Sequence, residues 1–189
     1  MADSMEQFTE QAKAGVRICL EEGADRAAVI DTARIPFDKG LRAYCAANAC
    51  GCYDKNWACP PGVGEPDEVI ARAKGYRRAL VFQAVGRLED SFDFEGMVAA
   101  ERRFGELAER IRRRMAETLS RYLLLTAGGC SLCPVCAKAE NQPCRFPDRA
   151  ISSLEAYCIQ VSRLAAACGM PYHSGENTIT NFGAFLFDE

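Results

Sequence analysis

Apolar residues recur at helical intervals near the start of the chain. Phe8, Ala12, Gly15/Val16 and Cys19/Leu20 predict a helix over residues 4–22, with Gly23 as its stop. AAVIDTARI, residues 27–35, is a short apolar run that predicts a buried strand ending at Pro36. A short helix is expected within residues 37–47, and CPPGVGEP, residues 59–66, is too rich in Pro and Gly for regular structure. Pro66, followed by Asp67 and Glu68, opens a helix that runs to Gly75. RALVFQAVG, residues 78–86, reads as a strand. Met97, Phe104, Leu107, Ile111, Met115 and Leu119 then mark one long amphipathic helix.

RYLLLTAGG, residues 121–129, is strand-like and feeds straight into a cysteine-rich stretch. Ser152 with Glu155 forms a capping box for a helix to Cys168, stopped by Gly169 and Pro171. ITNFGAFLF, residues 179–187, is the last strand. Helices alternating with about four strands predict an α/β sandwich. It is expected to be a single domain over residues 1–189, with two cysteine-rich loops at 45–61 and 128–147.

Composition narrows the class. With 49% hydrophobic and 26% charged residues over 189 positions, the chain can bury a core without staples, so its 11 cysteines are not needed for size. The acidic start MADSMEQFTE has neither the basic nor the apolar region of a signal peptide, and YLLLTA is far too short to span a membrane. A cytoplasmic setting is expected, where clustered cysteines indicate metal or redox chemistry rather than disulfides. The net charge of −3 speaks against nucleic acid as a partner.

Cys130, Cys133 and Cys136 follow a CxxCxxC rule, and Cys144 comes eight residues after the third. Structural zinc commonly joins two separate CxxC knuckles around one small tetrahedral ion. Three thiolates in one short loop suit a cuboidal [4Fe–4S] cluster better, because the loop can wrap it and offer backbone N–H groups to its sulfides. Zinc and metal-free thiols stay open as alternatives. Cys45, Cys50, Cys52 and Cys59 are spaced C-x4-C-x-C-x6-C, which matches no common single-metal motif. Four cysteines in one such loop still exceed what packing needs, so a second four-cysteine site is expected. The alternatives are zinc, a three-ligand site, or ligands shared with the later group. The two groups are expected to lie close in space, with Cys144 the ligand to cross between them.

Cys19, Cys158 and Cys168 fall in predicted helices beside apolar neighbours and read as core packing. His173, the only histidine, sits in a polar turn and reads as a surface residue. Tyr53, Asn56 and Trp57 lie inside the first cysteine loop, where the indole would shield a metal centre. Arg103, Arg110, Arg114 and Arg121 share a helix face, with Arg102, Arg112 and Arg113 nearby. That face reads as solvated and relieved by Glu101, Glu106, Glu109 and Glu117; docking an acidic partner is the sharper alternative. No nucleotide-binding or hydrolase motif is present.

The early C-x4-CGCYDKNWACPP loop and the later GGCSLCPVC…PCRFPDRAISSLEAYCIQV stretch together resemble the predicted metal-binding proteins called domain of unknown function 2284, found largely in anaerobic bacteria and archaea. The likeness runs from about Cys45 to the C-terminus. It implies metal on Cys45, Cys50, Cys52, Cys59, Cys130, Cys133, Cys136 and Cys144. Cys158 stands where family members often have glycine, which makes it incidental rather than a ninth ligand. The resemblance implies no reaction. The reading is an iron–sulfur protein with one or two [4Fe–4S] clusters, exchanging electrons with a redox partner protein in anaerobic metabolism. Two others compete with it: a small cluster-dependent reductase whose pocket is lined by Tyr53, Asn56, Trp57 and His173, and a zinc-stabilised interaction module.

Overall fold

Thr9 opens the first helix by accepting the backbone N–H of Ala12 on its side-chain hydroxyl. The helix α1 runs over Glu10–Glu21 and ends before Gly23, which takes φ +107 where a side chain would be strained. The computed structural model describes residues 9–188, so the expected start at Ser4 and the apolar Phe8 lie outside the described residues. Strand β1 (Arg26–Asp31) follows and pairs antiparallel with β2 (Arg78–Arg87), placing Arg26 opposite Gln83 and Asp31 opposite Arg78. The strand predicted to reach Ile35 stops four residues early. The Thr32 amide bonds to the carbonyl of Arg77, just before β2 begins, and Thr32–Arg34 close into a 3-10 turn. With no further partner strand beside it, the chain leaves the sheet there.

Beyond that turn come α2 (Leu41–Ala46) and α3 (Pro66–Lys74). The latter starts at Pro66 as predicted, with Glu65 and Glu68 forming a capping box and Gly75 as its cap. The long helix α4 covers Phe94–Met115, and β3 (Tyr122–Thr126) leads to the second cysteine stretch. The predicted capping box at Ser152 does not start a helix. Ser152–Ser153 form β4, a fifth and very short strand parallel to β3, and Glu155–Tyr157 form a 3-10 turn. Ser153 Oγ does accept the amide of Ala156, so the capping chemistry is present but serves one turn only. The chain then pairs Ile159 with Phe37, and α5 (Val161–Ala167) begins after that bridge. Cys158 is accordingly not helical; it has φ +58 and is fully buried.

The last strand, β5 (Thr178–Phe187), lies between β2 and β3, and the sheet order is β1-β2-β5-β3-β4. Side chains alternate across this sheet as period two requires. Leu80, Phe82, Phe185 and Phe187 meet Ile18, Cys19, Phe104, Leu107 and Ile111 of α1 and α4 on one face. Ala79, Val81, Phe182, Ala184 and Leu186 meet Val69, Tyr157, Ile159 and Leu164 on the other. The predicted mixed α/β sandwich is the observed architecture. No helix among the described residues is long and apolar enough to cross a membrane.

Strand direction decides where each cysteine group emerges. Asp31, Arg78, Phe187 and Tyr122 all stand at one end of the sheet, by their register. β1 therefore exits at the end where β3 enters, and β3 exits at the other. The two groups therefore do not leave a common sheet edge directly. The segment after β1 instead runs back along the face carrying Tyr157 and Ile159. It is held there by Asp38 N–H to the Cys158 carbonyl and Gln160 N–H to the Pro36 carbonyl.

Candidate metal centre

Cys45 sits in the last turn of α2, and the chain then turns sharply through left-handed residues Asn48, Gly51 and Asp54. Side-chain and backbone bonds fix that path. Asn48 Oδ1 accepts the amide of Tyr53 at 3.0 Å, Pro60 O accepts that of Asp54 at 2.9 Å, and Asn56 O accepts that of Cys59 at 3.0 Å. The coil brings the thiols of Cys45, Cys50, Cys52 and Cys59 within electrostatic reach of one another. Burial pushes the Cys59 thiol up to about 12, and neighbouring Cys52, Cys50 and Cys45 push it the same way. Burial, then Cys50, raises Cys52; burial also raises Cys45, against the opposing pull of Arg42. Thiols crowded like this cannot all ionise beside one another unless a cation shares the site. The donor chemistry therefore fits a metal centre.

The second group closes around one small cavity. Cys130, Cys133, Cys136 and Cys144 all line it, with Trp57, Leu132, Ala137, Phe146 and Ala150 as its apolar walls. Cys144 was expected to cross to the other group, and the structure returns it to its own. Ala137–Glu140 fold as a 3-10 turn, Asn141 takes φ +54, and Gln142 N–H bonds back to Ala137 O. Arg145 Nη1 then donates to Val135 O at 2.9 Å, which ties the return leg to the CxxCxxC loop. Among the described residues, no three His, Cys, Asp or Glu side chains stand in the close arrangement of a ready single-ion site.

The groups are neighbours. Asn56, buried in the first loop, donates its side-chain N–H to Cys130 O at 2.9 Å and accepts Ala58 N–H at 2.9 Å. Trp57 Nε1–H reaches Gln142 O at 2.8 Å, and Lys138 lies over the indole at 4.7 Å while pairing with Asp54 at 2.9 Å. Gly129 packs on the first group: a Cβ added there would stand 3.4 Å from Cys59 Sγ and 3.7 Å from Cys52 Sγ. Cys130 is the next residue, one Cα step of about 3.8 Å further on. Gly128 has φ +73, a left-handed conformation that favours glycine, and the Glu101 carboxylate of α4 lies against its open side. Proximity is thus reached through the return path over the sheet face.

Other candidates separate from this site. The cavity wall takes in Asn56 and Trp57 but neither Tyr53 nor His173, so the reductase pocket imagined from those four residues is not assembled. His173 is exposed and packs edge-on against Tyr172 at 4.8 Å. The arginines of α4 are largely engaged: Arg110 and Arg114 with Glu22, Arg114 also with Glu21, and Arg112 and Arg113 with Glu109. Arg121, beyond the helix, pairs with Asp188. Cys19 and Cys158 are fully buried in the two cores, and Cys168 packs at the margin of one. Sequence reasoning passed over Lys138 and the Gly128-Gly129 pair. The glycines were the available signal, since two in succession at a strand exit mark a close approach.

The raised thiols carry a pH prediction. A thiol with an ordinary value of 9.0 that rises to about 12 on folding, as for Cys19, Cys59 and Cys168, keeps the folded state more protonated than the unfolded one. Its stabilising contribution is complete below about pH 9 and is lost as pH climbs toward 12. Metal binding deprotonates Cys59 and removes its share. Denaturant midpoints measured from pH 8 to 11 are therefore expected to fall more steeply for metal-free than for metal-loaded protein; parallel curves would place Cys59 outside the metal site.

No curated protein and no solved structure matches the chain. A family model described as predicted metal-binding protein matches residues 28–187, which takes in all of the sheet but the first two residues of β1, and both cysteine groups. With the thiols gathered as described, the chain belongs to the predicted metal-binding protein family DUF2284.

Proposed function

We propose that Cys130, Cys133, Cys136 and Cys144 hold a [4Fe–4S] cluster, that Cys45, Cys50, Cys52 and Cys59 hold a second centre, and that the protein passes single electrons to and from a redox partner protein. The observation that carries this reading is the gathering of the four later thiols on one apolar-walled cavity, with the earlier group's sulfurs against Gly129 next door. A bound cluster of this type supplies a one-electron couple. The chain's own residues do the rest. Trp57, Leu132 and Phe146 limit water at the later thiols, and Asn56 holds the two loops at a constant separation. Lys138 places a positive charge between the loops, which offsets part of the charge that eight thiolates would bring.

One observation favours a second reading, a zinc-stabilised module: the cavity measures about 20 Å³, which is room for a single small body rather than a cuboidal cluster. For a cluster the CxxCxxC loop has to open outward, and it carries exposed Leu132 and Val135 on that side. Metal analysis separates the two. Protein purified without oxygen is expected to be brown, to contain iron and acid-labile sulfide, and to bleach with dithionite and in air. Stoichiometric zinc without sulfide, after reconstitution with both metals present, would establish the zinc module instead.

A further inference from the structure

A second site lies away from the cysteines, where the segment between α5 and β5 folds over the sheet. Tyr172 stacks on Phe182 with ring centres 6.1 Å apart, and the hydroxyls of Ser174 and Thr180 are 2.9 Å apart. Between this segment and the strands is a cavity of about 510 Å³, lined chiefly by Asp25, Arg26, Gln83, Arg87, Ser174 and Glu176. Its size falls in the ordinary range of small-molecule sites. Register explains its lining: Arg26 stands directly across from Gln83, and Gln83 and Arg87 project from the same face of β2.

Gln83 is the telling residue. It is 0% exposed, and neither its amide nitrogen nor its amide oxygen has a hydrogen-bond partner. A buried amide left so is costly, because it gave up its water bonds and received nothing in return. The charged residues around it are also uncommitted: among the described residues Arg26, Arg87 and Glu176 form no ion pair. Asp25 spends one carboxylate oxygen on the Val85 amide at 2.7 Å. Its other oxygen has no such partner among the described residues.

The geometry points to a binding site for a small zwitterion, a free α-amino acid. Guanidinium groups recognise a carboxylate through paired N–H donors, and Arg26 and Arg87 offer two such forks. Glu176 and Asp25 complement an ammonium group in the same space. A phosphate-like dianion would meet the two carboxylates, and a simple cation would meet the two arginines. Only a molecule carrying both signs is attracted at both ends. The Gln83 side chain is closed off from solvent in the free protein, so it has to turn into the cavity for its amide, donor and acceptor in one group, to meet a further polar group of the ligand. Nothing in this cavity belongs to the cysteine loops, so the site stands independently of the metal reading.

The test uses the full-length, metal-loaded protein, titrated by calorimetry and thermal melting with each standard L-amino acid in turn. N-acetyl amino acids, amino-acid amides and inorganic phosphate serve as probes lacking one of the two charges. At least one free amino acid is expected to bind and to raise the melting temperature, with both singly charged analogues weaker. Arg87→Ala and Glu176→Ala are each expected to weaken binding about tenfold or more, the loss of one charge-assisted contact. Gln83→Leu is expected to leave the free protein as stable as before or more so, since it removes an unpaired amide, and yet to lose the ligand-induced shift. Metal content is expected unchanged in all three variants. The proposal is overturned if no amino acid gives heat or a shift, if phosphate or the analogues bind equally well, or if Gln83→Leu binds as the parent does. Iron loss in the variants would overturn the separation of this cavity from the cysteine centres.

Discussion

Cys133→Ala is expected to empty the later cysteine group of metal and to destabilise the protein, while Cys19→Ala keeps the metal. Cys133 is the middle thiol of the CxxCxxC loop and lines the same cavity as Cys130, Cys136 and Cys144. Removing it leaves the other three with an incomplete coordination shell. Metal binding and folding share one free energy in sites of this kind, so the loss should exceed about 3 kcal/mol. Cys19 has another role. It is 0% exposed on α1, packed among Leu80, Phe104 and Ile111, and burial pushes its thiol up to about 12. It is a neutral core residue, and truncating it costs at most a few kcal/mol of packing. Metal analysis and thermal melting of the two variants side by side make the check. Equal metal content in both would remove the ligand role from the later group.

Much of this architecture is legible in the chain because the signals are local. Pro66 with Asp67 and Glu68 announces the start of α3, and the apolar stripe from Phe104 to Met115 announces the buried face of α4. Each depends only on residues a turn or two away. The CxxCxxC spacing likewise groups Cys130, Cys133 and Cys136, which do share a wall, but it gave no sign that Cys144 joins them rather than crossing to the earlier group. Where the reading failed, a local signal had two meanings. Ser and Glu three positions apart start a helix or cap a single turn, and the sequence around Ser152 does not distinguish them. The pairing of Ile159 with Phe37 decides it, and that contact joins segments far apart in the chain.

The path of the first cysteine group was hidden for the same reason. That β1 and β3 leave the sheet at opposite ends follows from the order β1-β2-β5-β3, in which the C-terminal strand is inserted between earlier ones. No periodicity within a segment encodes that insertion. Asn56 shows the cost at the level of one residue. It looked like a polar group for a substrate, and its decisive bond is to a carbonyl 74 positions away. Nothing in RALVFQAVG sets Gln83 apart; only the three-dimensional surroundings show that its amide has no partner.

Asn56→Ala should therefore damage both cysteine groups at once. The side chain supplies a donor to Cys130 O and an acceptor to Ala58 N–H, and Asn56 is only 9% exposed. Alanine leaves both partners unpaired in a place water reaches poorly. At about 1–3 kcal/mol for each of the two orphaned groups the protein should lose on the order of 2–6 kcal/mol. For a chain of this length that lowers the melting temperature by roughly 4–24 °C. The geometric consequence is more specific than the energetic one. Without the bond to Cys130 O, nothing from this side chain holds the Gly129 backbone against the sulfurs of Cys52 and Cys59. Metal content is then expected to fall in the earlier and later groups together. Trp57→Phe is the contrasting variant: it gives up the bond to Gln142 O but keeps an aromatic wall on the later cavity, so a loss of about 1 kcal/mol should leave the earlier group intact. If Asn56→Ala melts with the parent and retains full metal, the two loops are held together by Lys138 and Trp57 alone, and Asn56 is not the strut between them.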